Sequence, residues 1–161
     1  MGLENTEDHL TEAPVINLVP ANIGKRFINY IVDIIVFSFL VAFVLAAASP
    51  VYPLMNKIMQ QQPLSLADRF VIWFLYGLFM AVMEALLKGK TIGKYFTATR
   101  AVDENGLPVS SQSAFLRGLI RAIPIDQFTA ITFDFSPPRP WHDRWSRTFV
   151  VDENKSALPK Q

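Results

Sequence analysis

The chain has 161 residues, a formal net charge of +1, 51% hydrophobic and 18% charged residues, and no cysteine. That length sets one domain, the charged fraction lies below the quarter usual for soluble domains, and the missing cysteines exclude disulfides, thiolate metal sites and thiol catalysis together. Near-neutral charge without a basic patch argues against nucleic acid, and the distant pair His9 and His142 argues against a histidine metal cluster.

Residues 1–20 carry Glu4, Glu7, Asp8 and Glu12 with no Lys or Arg, the reverse of a signal peptide's basic start. They are expected to form an acidic, mobile tail. A first helix is predicted over 25–48, opened by Asn22 or Gly24. Its run Phe27–Ala48 is almost continuously Ile, Val, Phe, Leu and Ala, enough to cross a hydrocarbon core of ~30 Å. Lys25 and Arg26 oppose the helix dipole at this end, so their expected role is to hold it in the cytoplasm. Ser49-Pro50 and Pro53 stop the helix, and Met55–Gln62 reads as a short external interfacial piece.

The second spanning helix is predicted over 69–87, with Ser65 or Asp68 as its cap and Gly77 as a point of close approach for the first helix. The cationic loop Lys88–Lys94 returns the chain to the cytoplasm. It lacks the phosphate-loop spacing, since three residues separate Gly89 from Gly93 and Tyr95 follows Lys94. A turn beneath anionic headgroups is the expectation.

Alternation predicts strands at 95–102 and 147–151, with a turn at Glu104-Asn105-Gly106 leading into Leu107-Pro108-Val109. An internal echo, Ala101-Val102-Asp103-Glu104-Asn105 against Val150-Val151-Asp152-Glu153-Asn154, makes the two strands expected neighbours. Residues 110–140 must then cross the membrane an even number of times or not at all. A third helix over 111–123 shows Phe115, Leu116, Leu119, Ile120 and Ile123 on one face and Arg117 and Arg121 on another, an interfacial pattern. Ile125–Phe135 is too short and polar to span, which favours a re-entrant or surface course. Trp141 and Trp145 suit headgroup anchors, and 153–161 reads as a polar tail.

Arg26, Asn29 and Asp33 fall at i, i+3 and i+7, on one helical face. Asp33 lies ~10 Å along the helix from Arg26, and Glu84 ~6 Å from the Lys88 boundary of the second helix. Both carboxylates therefore occupy the cytoplasmic half, a depth at which ionisable groups often mark a pathway. One reading is a cation or proton site. The other is structural, with Asp33 paired to an Arg and Glu84 snorkelling to the surface. His142-Asp143-Arg144 has no nucleophile beside it and reads as a charged knot docking the C-terminal segment, with Arg117, Arg121 and Asp126 as further members.

These residues resemble the RDD family of bacterial membrane proteins, named for one arginine and two aspartates. Arg26 and Asp33 match the arginine and first aspartate of the first helix, and Asp143 in Trp141-His142-Asp143-Arg144 the second aspartate. Gly89–Asp103 and Arg117…Arg121 carry further likeness, and the resemblance covers about residues 22–152. It implies a multi-pass inner-membrane protein, with transport suggested and sodium/proton antiport proposed for some members.

The resulting expectation is an α-helical membrane protein with two spanning helices, a third amphipathic or re-entrant helix and a small cytoplasmic β element, with its RDD-like domain at 21–152. Its function is expected to be cation or proton transport by an oligomer in the plasma membrane, or accessory and scaffold work beside another membrane protein. The expected partners are the lipid bilayer, further copies or another membrane protein, and a monovalent cation or proton. Neither cofactor, metal nor enzymatic activity is expected.

Overall fold

The computed structural model describes residues 17–48, 63–123 and 139–159, with seven isolated positions between these segments. Helix α1 runs over Ile23–Ala48 and is opened by Asn22, whose Oδ1 accepts from the Lys25 N–H at 2.8 Å. At 1.5 Å per residue it is ~39 Å long. Helix α2, Leu66–Leu86, begins three residues before the sequence suggests because Ser65 and Asp68 close a capping box. The Asp68 N–H donates to Ser65 Oγ and the Ser65 N–H to Asp68 Oδ2. Both helices are long and apolar enough to cross a membrane. Phe39 and Phe43 are each 74% exposed and Phe70 63%, so these apolar faces point outward instead of filling a protein core. The expected interfacial piece Met55–Gln62 lies largely outside the described residues.

Residues 95–97, read as strand from their alternation, are helical. Helix α3 spans Ile92–Thr97, capped by Thr91, whose Oγ1 accepts from the Lys94 N–H at 3.3 Å. Ala98 adopts a left-handed conformation (φ 51°) and turns the chain into strand β1, Thr99–Asp103. The expected hairpin with residues 107–109 shrinks to a single bridge between Val102 and Pro108. The partner of β1 is strand β2, Thr148–Asp152, antiparallel, with Thr99 opposite Asp152 and Asp103 opposite Thr148.

The segment before α1 also joins this small cap. The Ala21 N–H donates to the Val150 carbonyl, the Asp152 N–H to Val19 and the Ala157 N–H to Asn17. Residues 17–20 and 153–157 are thus built into the cap rather than trailing as tails; residues 1–16 lie outside the described set. Ala21, Ala101, Val109, Ala114 and Val150 form the cap's apolar core.

Helix α4, Ser111–Arg121, packs along α2, and its arginine face, expected at the headgroups, is turned inward instead. Arg117 and Arg121 are buried and so is Ile120 of the apolar set, while Phe115, Leu116, Leu119 and Ile123 face outward. Against lipid this is the stable arrangement, because apolar side chains need no partner there whereas guanidiniums need carboxylates, which the protein interior supplies. The crossing depends on two glycines. A Cβ on Gly118 would lie 2.4 Å from the Gly77 carbonyl oxygen and 2.5 Å from the Ala81 Cβ. It is α4, not α1, that uses Gly77. As α2 runs from Gly77 through Ala81 to Glu84 and Ala85, its neighbours on α4 run back from Ala122 through Gly118 and Arg117 to the Ala114 core, so the pair is antiparallel. At eleven residues α4 is ~16 Å long, and its far end reaches the middle of α2. Gly118→Val is expected to force the helices apart and to cost at least the ~1–3 kcal/mol typical of overpacking. A thermal melt of the purified protein followed by size-exclusion fluorescence checks this.

The last helix, α5, is Trp141–Trp145, and it leads through a tight turn into β2.

Candidate functional site

Charged side chains from α1, α2, α3, α4 and α5 converge where the cap meets the long helices. Glu84, fully buried, is their centre. Its Oε2 accepts from Arg117 Nε at 2.6 Å, and its Oε1 from Arg121 Nη1 at 2.7 Å and from Lys94 Nζ. The snorkelling expected of Glu84 does not occur, because three cations bring it a counter-charge inside the protein. Arg117 reaches on to Asp143 Oδ1 and to the Thr148 hydroxyl. Asp143 also accepts from Arg26 Nη1 at 2.6 Å, and Arg26 donates further to the carbonyls of Ala21 and Val150. A continuous chain Arg26–Asp143–Arg117–Glu84–Arg121 therefore ties α1, α2, α4 and α5 together.

His142 extends it. Asp126 accepts from the His142 backbone N–H at 3.0 Å and pairs with Nδ1 of its ring, while Nε2 faces Arg121 Nη2 at 3.3 Å. That arrangement suits a neutral ring with its proton on Nδ1. Burial pushes the imidazole down from its ordinary value and Arg121 pushes it further, against the pull of Asp143 and Asp126. Burial also opposes charge on Asp143, but Arg117 and Arg26 outweigh it and hold this carboxyl well below the usual carboxylate range.

Asp33 is handled differently. Paired Arg was the structural expectation for it, yet no cation comes within 4.0 Å among the described residues. Its oxygens instead accept from the Thr91 hydroxyl at 2.7 Å and the Gly93 N–H at 2.8 Å. Gly93 can deliver that N–H because it lies flat on α1: a Cβ there would sit 2.4 Å from the Asn29 carbonyl oxygen. The Asn29 amide secures the contact from the other side, donating to the carbonyls of Gly93 and Lys25 and accepting from the Thr99 hydroxyl at 2.9 Å. The loop read as a headgroup turn is thus folded inward. Lys94 is 2% exposed, and Lys90 pairs with Glu153 at 2.7 Å.

A cavity of about 410 Å³ opens between α1 and α2 beside this network. Ile23, Phe27, Tyr30 and Met80 give it apolar walls, and Asp33, Lys94, Arg121 and His142 supply its charged and titratable side. Burial pushes Lys94 down to about 8, with Glu84 opposing and Arg117 and Arg121 assisting. The unfolded value is ~10.4, so between pH 8 and ~10.4 the unfolded chain binds the extra proton. This group therefore makes stability rise with pH across that window. Thermal melts from pH 7.5 to 10 are expected to show the rise and to lose it in Lys94→Met.

The charged residues singled out from sequence nearly all meet here: Arg26, Glu84, Arg117, Arg121, Asp126 and Asp143 in one network, with Asn29 and Asp33 bound to the adjoining turn. Asp33 and Glu84 do not contact each other; each is held by a different part of the cap. Lys94, Thr91 and Tyr76 escaped sequence reasoning. Lys94 sits among five other cations between 88 and 121, and nothing in their spacing separates a buried lysine from headgroup lysines.

A model of the RDD family matches residues 20–147. The chain belongs to the RDD family. No curated protein and no solved structure matches it. In this RDD membrane domain, the arginine and second aspartate assigned by resemblance, Arg26 and Asp143, are bonded partners. The other aspartate, Asp33, faces the cavity without a cationic partner among the described residues.

Proposed function

We propose that this RDD protein exchanges a monovalent cation for a proton across the bacterial inner membrane, with its cap on the cytoplasmic side and Asp33 as the exchanging carboxylate. The observation that carries the reading is the isolation of Asp33. It is 2% exposed and lines the cavity, yet it lacks the ion pairs that Glu84 and Asp143 hold. A buried carboxylate without a paired cation is where a proton or a mobile cation is best accommodated.

Charge balance favours exchange over simple uptake. With Asp33 protonated, four cations (Arg26, Lys94, Arg117, Arg121) stand with three carboxylates (Glu84, Asp126, Asp143) around a neutral His142. Replacing the Asp33 proton by a monovalent cation leaves that net charge unchanged, whereas uptake without proton release adds a charge to a buried cluster. The half-length helix α4 ending beside the middle of α2 agrees with the broken helices that line transporter sites. Most Lys and Arg flanking the long helices lie at the cap end, against Lys57 and Arg69 at the other, which supports a cytoplasmic cap. The two crossing helices among the described residues enclose no pathway alone, so the working unit is an oligomer.

The second reading, an accessory subunit beside another membrane protein, is favoured by the satisfied part of the network. Glu84 and Asp143 are bonded as structural locks, and the outward aromatics of α1 offer a contact face. Purified protein in proteoliposomes carrying an internal pH dye separates the two. Exchange predicts proton movement on imposing a gradient of sodium or potassium, whereas an accessory subunit leaves the dye unchanged.

A further inference from the structure

We propose that the cavity between α1 and α2 binds an amphipathic organic cation, an ammonium on an apolar body, in preference to a bare inorganic ion. The inference rests on the exchange reading for Asp33 and names the class of cation that the site takes.

Size is the first argument. The cavity measures about 410 Å³, more than ten times the ~30 Å³ share of a liquid water, and falls within the range of small-molecule pockets. A dehydrated inorganic ion would leave most of it empty. The donor set is the second. Hard cations are bound by several converging oxygens, and among the described residues no three His, Cys, Asp or Glu side chains gather as a metal site. Both Asp33 oxygens already accept one hydrogen bond each, leaving one carboxylate face for an ammonium instead of a coordination shell.

The walls supply the third argument. Phe27, Tyr30 and Tyr76 line the cavity with Met80 and Ile23. Ring faces attract a cation electrostatically, and the attraction grows when the cation is desolvated. Apolar walls also take up a ligand's hydrocarbon body, which an inorganic ion lacks. The Tyr76 hydroxyl is buried without a hydrogen-bond partner among the described residues, and its oxygen is available to accept from an ammonium N–H. The cations lining the same space already hold carboxylate partners, Arg26 with Asp143, and Lys94 and Arg121 with Glu84.

The probe is monodansylcadaverine, a primary ammonium on a fluorescent apolar body, titrated against the full chain in nanodiscs with empty discs as the blank. Saturable binding is expected, weakened at least tenfold in Asp33→Asn and several-fold in Tyr76→Phe, and absent for the uncharged N-acetylated probe. Equal binding by Asp33→Asn, equal binding of the acetylated probe, or no saturable binding by the folded wild type overturns the inference. If Asp33→Asn fails to fold, Tyr76→Phe and the acetylated probe decide it. Asp33-dependent sodium or potassium exchange without probe binding overturns this inference alone and leaves the exchange reading standing. Probe binding without any proton movement does the reverse.

Discussion

Arg117→Met is expected to remove most of the folded protein from the membrane. Arg117 is fully buried and bonded to two carboxylates on different elements, Glu84 of α2 and Asp143 of α5. Burial opposes its charge, but Glu84 and Asp143 more than restore it and hold the guanidinium firmly protonated. A methionine fills similar volume but leaves two carboxylates partly unpaired away from water. Breaking a buried pair from one side costs about 3–5 kcal/mol, a large share of the ~5–15 kcal/mol that holds a typical domain together. Lysine is not expected to rescue, since one ammonium cannot reproduce the forked contacts to Glu84 and Asp143. The pairing itself is tested by adding Glu84→Gln. If the loss comes from an unpaired carboxylate, the double variant is expected to recover part of the abundance and melting temperature, so that the two changes are strongly non-additive. Additive losses would mean that Arg117 acts through packing alone.

Much of this arrangement is legible in the sequence, and the places where it is not have physical causes. Arg26, Asn29 and Asp33 could be put on one face because helical period is strict over a 26-residue apolar helix. The pairing of β1 with β2 could be read from the repeated Ala/Val-Val-Asp-Glu-Asn segment. Alternation misplaced Tyr95–Thr97, where the Thr91 cap and the contact of Gly93 with Asn29 outweigh strand pattern. The α4 stripe was legible as amphipathic, but amphipathicity does not say which face turns inward. In water the apolar face is buried, whereas beside lipid the arginines are, once Glu84 lies within reach. Asp33 and Glu84 were both recognisable as odd charges in apolar helices. Their different partners depend on where the 88–99 turn folds back, which no local pattern encodes.

Asp33→Asn is expected to behave unlike Arg117→Met. Its two hydrogen bonds come from neutral donors, the Thr91 hydroxyl and the Gly93 N–H, and an asparagine oxygen can accept one of them. Losing one hydrogen bond to a carboxylate costs about 1.5–3 kcal/mol, and relief from burying an unpaired charge offsets part of it, so most of the protein is expected to fold and reach the membrane. The carboxylate in the cavity, however, is gone, and with it the group proposed to alternate between proton and cation. Function is expected to fall far more than abundance. A scaffold role gives the opposite pattern, with abundance or partner retention falling and no transport signal to lose.

The most direct measurement is proton movement in proteoliposomes containing equal amounts of folded wild type and Asp33→Asn, with an imposed monovalent-cation gradient and an internal pH dye. Exchange at Asp33 predicts a clear dye response in the wild type and a loss of at least tenfold in the variant. A wild-type response retained in full by Asp33→Asn, or no response from well-folded wild type, would contradict the account.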